Sequence, residues 1–467
     1  MIVASKLSSY PCGCHEVAHA WTSSCFKSWL DVGVPGITEA AKIYLPLFII
    51  SRLVKSRKWN AEMVLKIFKE TVQSSAFLGA NCYFLLSSFC TVRWLLPFVP
   101  VREGIMLACV VSSYMSIMIE RESRRDVLTV YMMNVASETL FNFLLEQGLV
   151  PNIPHGRSLL ASVALAAMMY LYKLGRSEAL VGQLAQALLG TAEIYPPRAG
   201  SCRKDLTAGM KLFNYISSMI TGKPQITTQS SQSSDRPLSV PAHPGLCPHH
   251  GACLRYAWRG LTESLLLGVA VQAGVTGGGA LLRLASSGRR PLLPSPVVLL
   301  PLGLCLGSVS GLFRLASCLL RRWRGRDAAW HAVPAGLLAA AGLRFYNSPS
   351  LTLYLFWKTA EAWYAHGAAS GRLPRAPGAV PLLYALSTGV VLSAAVLEPH
   401  QISRSYWAFL RTLTGGRVAQ MNRALIARQC GTDSLRLADV RAFRPTFRPE
   451  DVRAASLPIL RELGQLV

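Results

Sequence analysis

The 467-residue chain is 51% hydrophobic by count, while Asp, Glu, Lys and Arg together make up only 15% of it, against about 25% in soluble domains. Its mean hydropathy is +0.32, and its apolar residues gather in blocks of roughly 16 to 25, the length that crosses about 30 Å of hydrocarbon, so water is excluded as its only solvent. The formal charge of +24 lies in short Lys/Arg clusters between those blocks and near the C-terminus, without the aromatic interleaving of a nucleic-acid surface, which excludes nucleic acid as a partner and points to the bilayer and its anionic headgroups.

In chain order, residues 1–30 form a first segment without the uninterrupted apolar core of a secretory signal or the Arg-rich face of a mitochondrial transit peptide, so targeting rests on internal segments. This segment carries Cys12, Cys14, His15, His19 and Cys25. Thiolate and imidazole are zinc ligands, but no paired CxxC spacing is present, and buried or redox-active thiols are the competing reading. No cofactor is otherwise expected. Residues 31–175 form a first membrane repeat with candidate spans at 37–53, 74–92, 104–119, 127–146 and 158–174. Residues 176–252 read as a polar flexible linker, rich in Ser, Thr, Gln and Pro from Thr221 to Gly245. At its end stands a second cluster of Cys247, His249, His250 and Cys253.

A second membrane repeat covers residues 253–397, with candidate spans at 261–285, 297–320, 328–345, 350–369 and 379–397; eight to ten spans are expected in all, because the first is interrupted by Glu39 and Lys42 and the one at 328 is mostly Ala and Gly. Gly303, Gly307 and Gly311 put a smooth strip on one helix face, which lets a neighbouring backbone approach closely. Cys82, Cys90, Cys109, Cys305 and Cys318 sit inside apolar blocks and read as inert, packed thiols. Residues 398–467 form a basic tail with eleven Arg and no Lys. It reads either as a solvated segment or as one containing an interfacial amphipathic helix near Tyr406 to Ile426. In a ten-span arrangement Arg52, Lys55, Arg57, Lys58, Arg121, Arg124, Arg125, Arg321, Arg322, Arg324 and Arg326 share one face with the linker, taken as the cytosolic side.

The second half echoes the first. LTVY at Leu128 recurs as LTLY at Leu351, and Glu138, Gly148, Pro151, Pro154 and Arg121 match Glu361, Gly371, Pro374, Pro377 and Arg344 at the same offset of 223. Gly79, Cys90, Arg93 and Cys25 match Gly307, Cys318, Arg321 and Cys253 at an offset of 228. Position-matched pairs in this number indicate duplication. The expected fold is therefore all-α: a polytopic helical membrane protein of two homologous halves, each with four to five transmembrane helices. Five per half turns the second copy upside down relative to the first, as in many transporters; four leaves the copies parallel.

Glu138 and Glu361 lie inside apolar spans, where an ionisable group needs a partner, a proton or a wet cavity. Lys358 is one turn before Glu361, and Arg344 and His331 are on the preceding span, so the pair reads either as structural ion pairing or as a substrate or proton path. No nucleophile elbow, phosphate loop, HExxH or dinucleotide fingerprint stands in a fitting context, and no enzymatic activity is expected.

Cys14, Glu16, His19, Trp21 and Cys25, in the string CHEVAHAWTSSC, resemble the cysteine-rich opening of the transmembrane protein 135 family, also called peroxisomal membrane protein 52. IERESRRDVLTVYMMNVASETLF from Ile119, FYNSPSLTLY from Phe345 and SYWAFLRTLTGGRVAQMNR from Ser405 are similar to that family's segments in the same order. The linker, poorer in cysteine and charge, and the Ala/Gly/Arg-rich second half depart from it. The glycine-repeat helix is also similar to the seventeen-kilodalton family of the mitochondrial inner-membrane translocase. The main resemblance implies residence in peroxisomal and mitochondrial membranes, a part in mitochondrial fission and in lipid, fatty-acid or sterol handling, partners in the fission or lipid-handling machinery, and no established catalytic residue. A transporter or lipid-moving channel using Glu138 and Glu361 is the competing expectation.

Overall fold

A computed structural model describes residues 12–55, 60–175, 251–287, 296–374 and 376–467, together with residues 182, 185, 186, 188–190, 193, 194, 247 and 249. These form fifteen α-helices, short 3-10 turns and no β-strand: α1 (Cys14–Val17), α2 (Cys25–Lys55), α3 (Ala61–Leu95), α4 (Val101–Ile117), α5 (Glu122–Glu146), α6 (Gly156–Lys173), α7 (Cys253–Ser287), α8 (Pro296–Arg324), α9 (Ala332–Ala339), α10 (Pro349–Ala369), α11 (Ala379–Leu397), α12 (Arg404–Leu413), α13 (Arg423–Cys430), α14 (Ala438–Arg441) and α15 (Leu457–Glu462). Among the described residues, four stretches are long and apolar enough to cross a membrane unaided: Cys25–Ile49, Ala61–Leu95, Val297–Arg324 and Ala379–Leu397. The protein is an all-α helical membrane protein. The expected spans at 104–119 and 158–174 form the shorter helices α4, of 17 residues, and α6, of 18. The one at 328–345 is the clearest departure, being an eight-residue α-helix followed by the 3-10 segment Ala340–Tyr346. Its small residues are pressed against α8, where a Cβ on Gly342 would come within 2.9 Å of Val309 N.

Two compact units result. Unit 1 is Met1–Pro151 with Ala376–Val467, and unit 2 is Asn152–Arg375. These boundaries differ from those read off the repeats, 31–175 and 253–397. In unit 1, α2 packs on α3, α3 on α4, and α11 against α4 and α5. In unit 2, α7 packs on α8, α8 on α9 and its 3-10 extension, and α6 against α9 and α10. Each unit therefore combines the first four helical elements of one half with the fifth of the other. The same turn starts both fifth helices: Gly148 (φ 68°) and Gly371 (φ 72°) end α5 and α10, and His155 (φ 62°) and Gly378 (φ 81°) precede α6 and α11. Positive φ is open to glycine at little cost, which accounts for three of these four residues.

Close backbone approach holds both units together. In unit 2, a Cβ on Gly307 would meet Leu261 O at 2.8 Å, one on Gly303 would meet Leu265 O at 2.8 Å, and one on Gly311 would meet Leu261 Cβ at 3.0 Å, so the glycine strip lies directly on α7. In unit 1, a Cβ on Gly36 of α2 would meet Gly79 Cα of α3 at 3.1 Å. The exchanged helices repeat the device, with Gly389 of α11 against Val110 of α4 and Gly336 of α9 against Ala166 of α6.

Residues 398–467 are folded in unit 1 and are not a solvated tail. Tyr406, Trp407, Leu410 and Leu413 bury one face of α12, whose N-cap Ser403 accepts from Tyr406 N. Arg423 is fully buried and donates to the carbonyls of Ala395, Val396 and Val418, satisfying the end of α11. Asn422 N donates to Val17 O, joining this segment to α1. The expected linker, 176–252, also differs where it is described: Ala185, Leu189 and Glu193 are buried in unit 2. Its stretch from Thr221 to Gly245 and residues Arg57 and Lys58 lie outside the described residues.

Filling the strip tests this packing. Gly307→Leu is expected to destabilise the protein by about 1–3 kcal/mol through overpacking, seen as a lowered unfolding midpoint in detergent. Gly278→Leu, at a position with no neighbour within 4 Å, is expected to leave the midpoint in place. Equal midpoints for both would show that α7 and α8 do not meet at the glycine strip.

Candidate metal centres

Antiparallel packing of two consecutive helices sets the first centre. Cys25 is the first residue of α2, and Cys90 lies in the last two turns of α3, so the hairpin brings together two thiols that stand 65 residues apart in sequence. Helix α1 and the turn after it deliver Cys14 and His19 to the same point. One ligand atom from each of Cys14, His19, Cys25 and Cys90 lies within 4.8 Å of all the others. Cys14 Sγ is 3.5 Å from Cys25 Sγ, and Cys25 Sγ is 3.6 Å from His19 Nε2. His19 Nδ1 is 2.8 Å from Thr22 O, a bond that fixes the ring with Nε2 facing the thiols.

The surrounding contacts hold this arrangement rigid. Arg93, one turn beyond Cys90 and fully buried, donates through Nε and Nη2 to Cys12 O at 3.1 and 2.7 Å and through Nη1 to Val99 O at 2.7 Å. Glu16 accepts from Gly13 N and Arg453 N, both at 2.7 Å, which ties the segment to the C-terminal region. A hydrogen bond from the Cys90 thiol outweighs burial and, with His19 alongside, pulls the Cys14 thiol below its usual value. Burial pushes the His19 imidazole down, but its bonds to Cys14 and Thr22 carry it above its usual value.

The second centre repeats the first. Cys253 opens α7 and Cys318 lies in the last two turns of α8, again 65 residues apart. Ligand atoms of Cys247, His249, Cys253 and Cys318 all lie within 4.8 Å of one another, and His249 Nε2 is 3.2 Å from Cys318 Sγ. The His249 ring stacks on Tyr256 with centroids 4.4 Å apart. Tyr256 donates to Glu193 at 3.0 Å, and Glu193 pairs with the fully buried Arg321, one turn beyond Cys318. Arg321 and Lys173 also hold Asp327, at 3.1 and 2.7 Å. Burial pushes the Cys247 thiol up.

Six of the cysteine and histidine residues singled out in the sequence, Cys14, His19, Cys25, Cys247, His249 and Cys253, come together as two groups. Cys90 and Cys318, read from the sequence as packed thiols in apolar blocks, join them; only the hairpin reveals this, although their shared offset of 228 with Cys25 and Cys253 is a signal in the sequence. Cys12 does not join. Its Sγ faces Gln429 Nε2 at 2.9 Å, and burial pushes the thiol up to about 12. His15 turns to Thr22 O and packs edge-on against Phe447. His250 lies outside the described residues.

The intramembrane charges are less symmetrical than the repeat suggests. Glu138 is half-buried on α5 of unit 1, with no ion pair among the described residues, whereas Glu361 on α10 of unit 2 pairs with Lys358 at 2.5 Å. Arg344 is exposed, and His331 is 3.7 Å from Asp327, so neither serves Glu361. A more deeply buried carboxylate of unit 1 is Glu120, which pairs with Arg124 at 3.3 Å and accepts from Ser74 and Arg121 N. Beside it Arg121 pairs with Glu70 at 2.8 Å, and Arg124 covers the Tyr44 and Phe48 rings.

Residues 11–145, which include Cys14, His19, Cys25 and Cys90, match the family model for the N-terminal cysteine-rich region of Transmembrane protein 135. No solved structure matches the chain.

Lys358 is nearly buried, so Lys358→Met leaves the Glu361 carboxylate without its partner. The expected loss is about 1–3 kcal/mol of stability, most of it restored in the double variant Lys358→Met/Glu361→Leu. A double variant no more stable than the single would show that the two side chains do not act as a pair.

Proposed function

We propose that this chain, which belongs to the transmembrane protein 135 family, is a non-enzymatic integral membrane protein of mitochondria and peroxisomes that regulates mitochondrial fission and lipid metabolism. Family membership carries the reading. Two features of the fold support a role exerted through the membrane body. The outward faces of the helices carry exposed Leu65, Phe68, Leu107, Val111, Leu159 and Leu382, while Ser112, Ser113 and Ser116 are fully buried, the distribution of a bundle solvated by lipid. Those serines bond to carbonyls of their own helix, which satisfies their hydroxyls within α4. The folded C-terminal region offers exposed arginines, including Arg404, Arg444 and Arg461, suited to anionic headgroups or an acidic partner.

Removing the protein from cultured cells is expected to lengthen the mitochondrial network and alter fatty-acid composition, with both restored by re-expression. The tagged protein should stay in the pellet of mitochondrial and peroxisomal fractions after carbonate extraction. Unchanged network length and lipid composition, or recovery in the supernatant, would overturn the proposal.

A transporter or lipid-moving channel is the second reading, favoured by Glu138, a half-buried helical carboxylate without an ion pair among the described residues. It requires that Glu138→Gln with Glu361→Gln lower the flux of lipids or solutes in proteoliposomes by at least about tenfold, the scale of one lost charge-assisted contact of 1.4 kcal/mol. Equal flux in wild type and double variant would remove it.

A further inference from the structure

We propose that the protein binds two structural zinc ions, one per unit, through Cys14, His19, Cys25 and Cys90 and through Cys247, His249, Cys253 and Cys318, each ion fastening the open end of a helix hairpin.

Three thiols and one imidazole suit Zn2+, and four protein donors leave no position for water or substrate, which marks a structural site and not a catalytic one. Distances agree with one tetrahedral ion. With Zn–S of about 2.3 Å and Zn–N of about 2.0–2.1 Å, the S–S and S–N edges of a tetrahedron are about 3.8 and 3.5 Å. The separations here are 3.5 Å for Cys14 to Cys25, 3.6 Å for Cys25 to His19 and 3.2 Å for His249 to Cys318. A Cys14–Cys25 disulfide would need a separation of about 2.05 Å and would leave Cys90 and His19 unexplained. A two-iron cluster would spread its ligand pairs apart, whereas all four donors here lie within 4.8 Å of one another.

The supporting contacts are those of a metal ligand set. The His19 Nδ1 bond to Thr22 O leaves Nε2 for the ion. Three thiolates and Zn2+ leave one net negative charge, and a fully buried arginine, Arg93 or Arg321, stands one turn from the thiolate of α3 or α8. Binding is a coordination step without redox change: three Zn–S bonds and one Zn–N bond form, and the thiol protons pass to solvent. The duplication is an independent argument. Both hairpins carry the same donor set in the same chain order, and within each the helix-borne cysteines are 65 residues apart. The inference concerns the purified chain and holds whatever the protein's role in organelle membranes.

The full-length chain, purified in detergent under reducing conditions, is expected to contain two zinc equivalents by elemental analysis. Cys90→Ser and Cys318→Ser should each leave one equivalent, and the double variant none. Cys109→Ser, which alters a buried thiol outside both groups, should leave two. Because ligand variants can misfold, the wild type supplies a second reading: chelation should render Cys14, Cys25, Cys90, Cys247, Cys253 and Cys318 newly alkylable, as mapped by mass spectrometry. Cobalt exchanged for zinc should give the thiolate charge-transfer and tetrahedral d–d bands. Zinc no higher in the wild type than in the double variant, iron in its place, a mapped Cys14–Cys25 disulfide, or no change in alkylation on chelation would each overturn the proposal.

Discussion

Hydrocarbon offers no hydrogen-bonding partner, so every polar group carried into a bilayer must be satisfied by the protein itself. This constraint shapes both units. Arg93, Arg321 and Arg423 are among the most deeply buried side chains, and each directs its guanidinium to backbone carbonyls or to a carboxylate. Glu120 and Glu193 are held in the same way, by Arg124 and by Arg321. Leucine, phenylalanine and valine on the outward faces remain exposed because lipid is their solvent.

Within this constraint one ancestral pattern is used twice. Glycine brings α2 onto α3 and α7 onto α8 at backbone distance, and a small residue at matched positions seats α11 on α4 and α6 on α9. In each unit the fifth helix comes from the other half. Neither half therefore forms its unit alone, and folding of both units waits on chain that lies beyond the first repeat. Late, long-range contacts of this kind slow folding.

The open ends of the two hairpins are where the described residues concentrate chemistry. A long hairpin of apolar helices gains packing along its length but little at its ends, where helix termini splay and carbonyls lose partners. At these ends the protein places three thiols, an imidazole and a buried arginine, twice over. The fully folded C-terminal region adds a second fastening in unit 1, through Arg423 at the end of α11 and Glu16 at the start of the described chain.

The sequence by itself determined the helical membrane class, the duplication and most of the Cys and His residues that cluster, because apolar run length, position-matched pairs and residue type are all properties of the linear chain. It also contained the matched offsets of Cys90 and Cys318, yet an apolar environment is equally the home of a packed thiol, and only the hairpin brings these two beside the other Cys and His side chains. The tertiary structure alone decided which helices share a unit, that residues 398–467 fold against unit 1, and that Glu361 pairs with Lys358 while Glu138 does not share this partner. The first two depend on contacts between residues distant in sequence, which local propensity and charge count do not encode, whereas the Glu361–Lys358 pair is one helical turn long and was one of two readings the sequence left open.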